Sequence, residues 1–237
     1  MKTLATLVVM ILVVGQSASA QAPTPGVFGT ALELLPPGEP GELSIVVVGP
    51  YGEIGVPIIV RNNTEETVYD LEILATIRDA NGTLIAAEES APRPSVLEPG
   101  AIAIDRLPFW TDLPGPPPVG STYAFEAYTT TEAAYLALAG VEHPVRTIPL
   151  EVNSAERSNS QIIGRAVNTS ERPLTTGPTI TVMCFTNAGE ATEYYGASME
   201  PPIQPIAVGV EFPFSTSTEE PIEAVCDRFL VLVYTIG

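Results

Sequence analysis

Tyr69-Asp70-Leu71-Glu72-Ile73-Leu74-Ala75-Thr76-Ile77-Arg78-Asp79-Ala80-Asn81-Gly82-Thr83-Leu84-Ile85 is the segment from which the rest of the chain can be read. Leu71, Ile73, Ala75 and Ile77 fall on one parity, and Asp70, Glu72, Thr76 and Arg78 on the other. Side chains of an extended strand alternate between faces, so this spacing predicts a strand with one face in a core and one in water. Asp79-Ala80-Asn81-Gly82 then offers Asn, which tolerates positive φ, followed by Gly, the chemistry of a hairpin turn. Leu84 to Glu88 is the expected return strand.

Working outward, the same signals occur twice. Asn62-Asn63-Thr64-Glu65 returns as Asn168-Thr169-Ser170-Glu171, and Ala80-Asn81-Gly82 as Asn187-Ala188-Gly189. Leu97-Glu98-Pro99 matches Ile203-Gln204-Pro205, Pro108-Phe109 matches Pro213-Phe214, and Tyr128-Thr129 matches Tyr234-Thr235. A repeat this long is a whole domain rather than a solenoid unit. Ile180, Val182 and Cys184 form the inward stripe of the second long strand. Ile102/Ile104 and Val208/Val210/Phe212 read as inward stripes, as do Tyr123/Phe125/Ala127 and Phe229/Val231/Val233 in the last strands. Leu43 to Val48 and Ile54 to Val60 precede the first long strand, matched by Val145 to Val152 and Gln161 to Val167. Six or seven short strands per repeat predict two tandem Ig-like antiparallel β-sandwiches. The expected organisation is a signal peptide over 1–20, a proline-rich tether over 21–40, a sandwich over 41–131, a linker helix over 132–140 and a second sandwich over 141–237. The helix signal is an Ala/Leu run after Thr131, closed by Gly140. Residues 21–40 read as an extended polyproline-type spacer, with Ala31 to Leu35 available as an edge strand.

The first residues explain where such a chain works. Lys2 opens a short positive start, Leu4 to Val14 is apolar, and Ala18-Ser19-Ala20 is a small-x-small cleavage pattern. This is the layout of a secretory signal peptide, and the apolar run is too short to cross a bilayer. No integral span remains after cleavage, so an extracytoplasmic product, secreted or held in the cell envelope, is expected. Removing Lys2 leaves nine arginines against 28 acidic residues, a net charge of −19. That charge disfavours nucleic acid and anionic membrane surfaces as partners.

The order of strand, Asn-x-Ser/Thr turn, long strand, Asp-Ala-x-Gly hairpin and x-Pro-Gly turn resembles the bacterial FxLYD-type exported domains. Its carriers here are Ile59-Val60-Arg61-Asn62-Asn63-Thr64, Ala75 to Gly82 and Leu97-Glu98-Pro99-Gly100. At the naming motif the repeats read Ala75-Thr76-Ile77-Arg78-Asp79 and Val182-Met183-Cys184-Phe185-Thr186. The resemblance implies an extracytoplasmic Ig-like module and carries no catalytic residue across.

The chemistry-bearing residues are few. His143 is the one histidine and no Gly-x-Ser-x-Gly elbow accompanies it, so no catalytic residue is assigned. His143, Cys184 and Cys226 lack metal-ligand spacing, and neither a metal nor a cofactor is expected. Acidic pairs such as Glu88-Glu89 and Glu219-Glu220 are sequence neighbours that point to opposite faces of a strand. In an oxidising compartment Cys184 and Cys226 are a candidate disulfide, the alternative being two separate thiols. The Asn-x-Ser/Thr triplets at Asn62, Asn81 and Asn168 fit glycosylation acceptors and equally fit turns. Phe109-Trp110-Thr111-Asp112-Leu113 beside the Pro116-Pro117-Pro118 run holds the one tryptophan, and Phe109, Trp110 and Leu113 are the candidate contact residues for a protein or glycan partner. The opposing reading is a plug under the core. The expected function is a non-enzymatic exported interaction or structural module, with a secreted hydrolase or carbohydrate-active accessory domain as the alternative.

Overall fold

The computed structural model describes residues 7–8, 27–52, 55–109, 113, 115–130, 134, 147–216, 222 and 225–236. The chain divides into two compact units. The first comprises Met1–Ala22 and Pro36–Pro144, the second Pro23–Leu35 and Val145–Gly237. The linker helix expected over 132–140 lies outside the described residues apart from Ala134, and His143 lies outside them as well.

The strands in chain order are β1 (Leu7–Val8), β2 (Val27–Phe28), β3 (Leu43–Val48), β4 (Val56–Asn62), β5 (Tyr69–Arg78), β6 (Leu84–Ser90), β7 (Ile102–Leu107) and β8 (Thr122–Thr130). There follow β9 (Thr147–Pro149), β10 (Glu151–Ser158), β11 (Gln161–Val167), β12 (Thr179–Phe185), β13 (Ala191–Ser198), β14 (Glu211–Ser215) and β15 (Arg228–Ile236). In the first unit the sheets run β3-β4-β7 and β1-β8-β5-β6, and in the second β10-β11-β14 and β13-β12-β15-β2. All pairings are antiparallel. Each unit therefore places its first, second and fifth long strands in one sheet and its third, fourth and sixth in the other, the connectivity of an Ig-like sandwich.

The alternation on β5 does what its spacing dictates. Leu71, Ile73, Ala75 and Ile77 are fully buried and meet Val56, Ile58, Val60, Ala103 and Leu107 of the opposing sheet. Ile180, Val182 and Cys184 play the same part in the second core, facing Ile162, Ala166, Phe212 and Phe214. At the first hairpin, Asp79 Oδ1 accepts the backbone N–H groups of Asn81 and Thr83, and Gly82 takes a φ of 82°. Gly189, with a φ of 88°, closes the second.

Three readings of the sequence need correction. The inward residues of β7 are Ala103 and Leu107, with Ala101 before them, so Ile102 and Ile104 lie on the other face. Val208 and Val210 are exposed rather than inward. The cause is the position of the turn: Gly100 N–H bonds to Asn62 O, and Gly209 N–H to Asn168 O. The second-repeat counterpart of Leu97 is thus Ile206, not Ile203, which puts Val208 and Val210 in the turn before β14 and leaves Phe212 as the inward residue of that stripe.

The tether is the third correction. Residues 27–35 are folded onto the second unit rather than forming a free spacer. Val27 and Phe28 pair with Leu232 and Val231, while Leu32–Leu34 form a 3-10 turn in place of an edge strand. Ala31 and Leu35 are buried. Gly29 is required there, because a Cβ on it would lie 2.1 Å from Phe229 O. The strand expected over 145–152 also divides. β9 pairs with β15, Leu150 N–H bonds to Val233 O, and β10 crosses to pair with β11.

Candidate functional site

The expected contact loop folds inward at its described residues. Phe109 is fully buried in the first core, which removes it as an exposed contact. Burying a phenyl ring here is worth about 2–3 kcal/mol, more than a surface position returns. Leu113 N–H bonds to Phe109 O at 3.1 Å, and the Leu113 side chain packs partly buried on the same core. Trp110 lies outside the described residues.

The Asn-x-Ser/Thr triplets at Asn62 and Asn168 are turn pins. Asn62 is fully buried; its Oδ1 accepts Thr64 N–H and Thr64 Oγ1, and its Nδ2 donates to Glu66 O and Leu97 O. Asn168 repeats this with Ser170, Arg172 O and Ile206 O. Every polar valence of both amides is taken, and neither nitrogen faces solvent.

Asp105 is a half-buried carboxylate at the rim of the first core. It follows Ala103 on the inward parity of β7, and Ser90 Oγ donates to its Oδ2, tying β6 to β7 across the sandwich. Burial pushes the Asp105 carboxyl above its ordinary value, opposed by Ser90, the Arg106 N–H and the Arg106 and Arg93 charges. With Ser90 donating its proton to the carboxylate, the pair is a cross-sheet bond. Among the described residues no three His, Cys, Asp or Glu side chains are placed to hold a metal ion.

Cys184 and Cys226 form a disulfide. It closes one end of the second unit, where Arg157 donates to Cys226 O, Ile222 O and Asn159 O. Ile222 N–H also bonds to Ser160 O, so the β10–β11 hairpin clamps the loop that carries Cys226.

A concavity lies on the β10-β11-β14 sheet of the same unit, a trough of about 620 Å³. Its sides are two cross-strand rows, Ser154–Arg165–Pro213 and Glu156–Ile163–Ser215. Between them runs the inward row Ala155–Gly164–Phe214. Gly164 allows this. A Cβ there would lie 2.3 Å from Ser154 O and 2.5 Å from the Phe214 ring, so the bare backbone lets the ring pack beneath the sheet. Met199 closes one end. Arg165 is held by Glu211 at 2.8 Å, and Glu211 also accepts a hydrogen bond from Asn153 Nδ2. These two bonds keep the Glu211 carboxyl below its ordinary value. The trough combines an apolar centre, two hydroxyls, one guanidinium and one carboxylate on strands rather than loops. None of its residues stands out in the sequence, because its shape comes from strand register and a missing side chain.

No family model and no curated protein matches the chain. Among solved structures, one described as "pT26-6p" is similar over 83% of this chain at 8% identity and a TM-score of 0.19. The chain spans 63% of the length of that structure. A likeness of that size carries no argument about fold or function.

Proposed function

We propose that the chain is an exported, non-enzymatic interaction module that uses the second-unit trough to hold an extended segment of a protein or glycan in the envelope or outside the cell. The trough itself carries this reading. It is mixed in polarity, open enough for a chain to lie along it, and built on a sheet whose β10–β11 hairpin holds, through Arg157, the loop that carries the disulfide. A hydrolytic reading calls for a second carboxylate across the trough from Glu156. Glu211, on β14 of the same sheet, is engaged by Arg165 and Asn153. The leader-like first 20 residues and the disulfide support an oxidising compartment. Among the described residues no helix is long and apolar enough to cross a membrane. The FxLYD-like order of turns and hairpin supports the same assignment.

The test is a glycan and peptide array probed with wild-type protein, Ile163→Arg and Arg165→Ala. Binding to one ligand class that both substitutions weaken supports the trough. Equal binding by all three proteins removes it. Turnover of a bound glycan or peptide would replace this reading with the hydrolytic one.

A further inference from the structure

Among the described residues most sheet edges carry a device against adding a strand. The β3, β6, β10 and β13 ladders each contain a bulge or irregular step. The outer edge of β7 is taken by the Arg93 to Ile104 bridge, and β14 contains Pro213, which has no N–H to offer. The outer edge of β15 is filled by β2 and β9. The outer edge of β8 is different. Thr122-Tyr123-Ala124-Phe125-Glu126-Ala127-Tyr128-Thr129-Thr130 has no proline, lysine or arginine; the one irregular step of its ladder lies at the Tyr69 end, and the seven residues from Tyr128 to Thr122 pair with β5 without a break. Among the described residues only Leu7 and Val8 lie on that edge, opposite Ala127 and Glu126. They belong to the segment read as a signal peptide, so on the export reading processing removes the one described strand from that edge. Native sheets guard their edges, and an unguarded one is a template for a strand.

We propose that the outer edge of β8 in the processed chain is a docking edge for an extended strand of another protein, aliphatic at one set of alternate positions and basic at the other. The inward set is fixed by the core. Phe125 and Ala127 face it, and the edge takes Leu7 opposite Ala127. The outward set is fixed by charge. Glu126 lies in a row with Leu74 and Glu89, and Tyr128 in the next row with Glu72. A residue opposite Glu126 therefore meets an acidic face, and opposite charges at facing positions stabilise a strand pair. A second copy is the poorer occupant, since the processed chain has no lysine and a net charge of −19. The equivalent edge of the second unit, with Val27 and Phe28 opposite Leu232 and Val231, illustrates how such a strand sits.

The inference rests on the export reading above, and the two can fail separately. The chain is recovered after export and its intact mass measured. A mass that retains residues 1–20 overturns both. With a processed chain, the probe is a labelled nine-residue peptide alternating valine and lysine, followed by fluorescence anisotropy. It should bind, whereas a valine–glutamate peptide and a scrambled peptide of the same composition should not. Glu126→Lys should weaken it about tenfold, the size of a cross-strand ion pair turned to repulsion. Two further peptides carry N-methyl groups on one alternate set of backbone nitrogens or on the other. One should lose binding and the other keep it, because alternate N–H groups face the ladder and solvent. Equal binding by the scrambled peptide, or by both methylated ones, overturns strand addition in favour of plain charge attraction. A self-associated processed chain that excludes the peptide overturns it in favour of a second copy.

Discussion

Asn62 and Asn168 each satisfy two donors and two carbonyls from one buried amide, in turns separated by a whole unit. Truncation to alanine removes all four bonds at once: the Thr64 or Ser170 N–H loses its acceptor, and each carbonyl keeps only its second donor, from Val68 N–H and Thr64 Oγ1 in one turn and from Leu174 N–H and Ser170 Oγ in the other. Asn62→Ala and Asn168→Ala should each cost about 3 kcal/mol. Hydrogen exchange should place the loss of protection in the mutated unit; uniform loss along the chain would contradict a local pin. Asp105 gives a pH-dependent counterpart. Its folded-state value is raised above the ordinary 3.8 by burial, so the fold binds its proton more tightly than the unfolded chain does. The stability this contributes is complete below 3.8 and is lost as pH rises through the raised value. Asp105→Asn keeps an acceptor for Ser90 and cannot ionise. The difference in melting temperature, variant minus wild type, should be near zero in acid and positive at neutral pH. A difference flat across that range would show that Asp105 is not destabilised by burial.

At the scale of elements, alternation was a sound guide wherever a strand had one wet face. β5 is the case in point, with its inward residues readable one by one. It failed where a turn shifted the frame. The segment from Met199 to Pro205 holds Pro201, Pro202 and Pro205, and any of them could open the turn that pairs with Asn168. The hydrogen bonds choose Ile206 and Gly209 instead. Alternation was also silent where both faces are buried, as along β4, and where a strand is two residues long, as β2 is. The trough was illegible for a related reason, since Gly164 reads as a weak strand residue until the Phe214 ring is seen beneath it. The disulfide is the element-scale feature that was legible, because two cysteines in one repeat of a chain read as exported have few other uses. Its 42-residue separation implies about 4 kcal/mol from restricting the unfolded chain. Cys184→Ala with Cys226→Ala should lower the unfolding free energy of the second unit by roughly that amount, as read by denaturant titration. Because the Arg157 clamp on the same loop survives, the β10–β11 hairpin should keep its exchange protection; its loss would mean that the disulfide, not the clamp, holds that end.

For the molecule as a whole, the N-terminal segment is the feature on which composition and structure disagree most. A proline-rich stretch ahead of the first strand resembles a spacer, and a spacer can be deleted freely. Residues 27–35 instead do three jobs for the second unit. Val27 and Phe28 pair with β15, Thr30 Oγ1 accepts Phe229 N–H while Ala31 N–H donates to Phe229 O, and Arg228 is paired with Glu33 at 2.5 Å. Leu35, 3% exposed, and Ala31, fully buried, add apolar burial worth about 2–3 kcal/mol. The lost backbone pairs and the ion pair bring the expected cost of deletion to about 3–5 kcal/mol. A processed chain that begins at Pro36 should therefore show a destabilised second unit, with faster exchange at Phe229 to Val233. Protection at Ile58 to Val60, which lie in the first core, should not change. Deletion also leaves β15 with a bare edge along Val231 and Leu232, so the truncated chain should self-associate more readily than the longer one in sedimentation at rising concentration. Unchanged exchange at β15 together with unchanged sedimentation would return these residues to the role of a spacer.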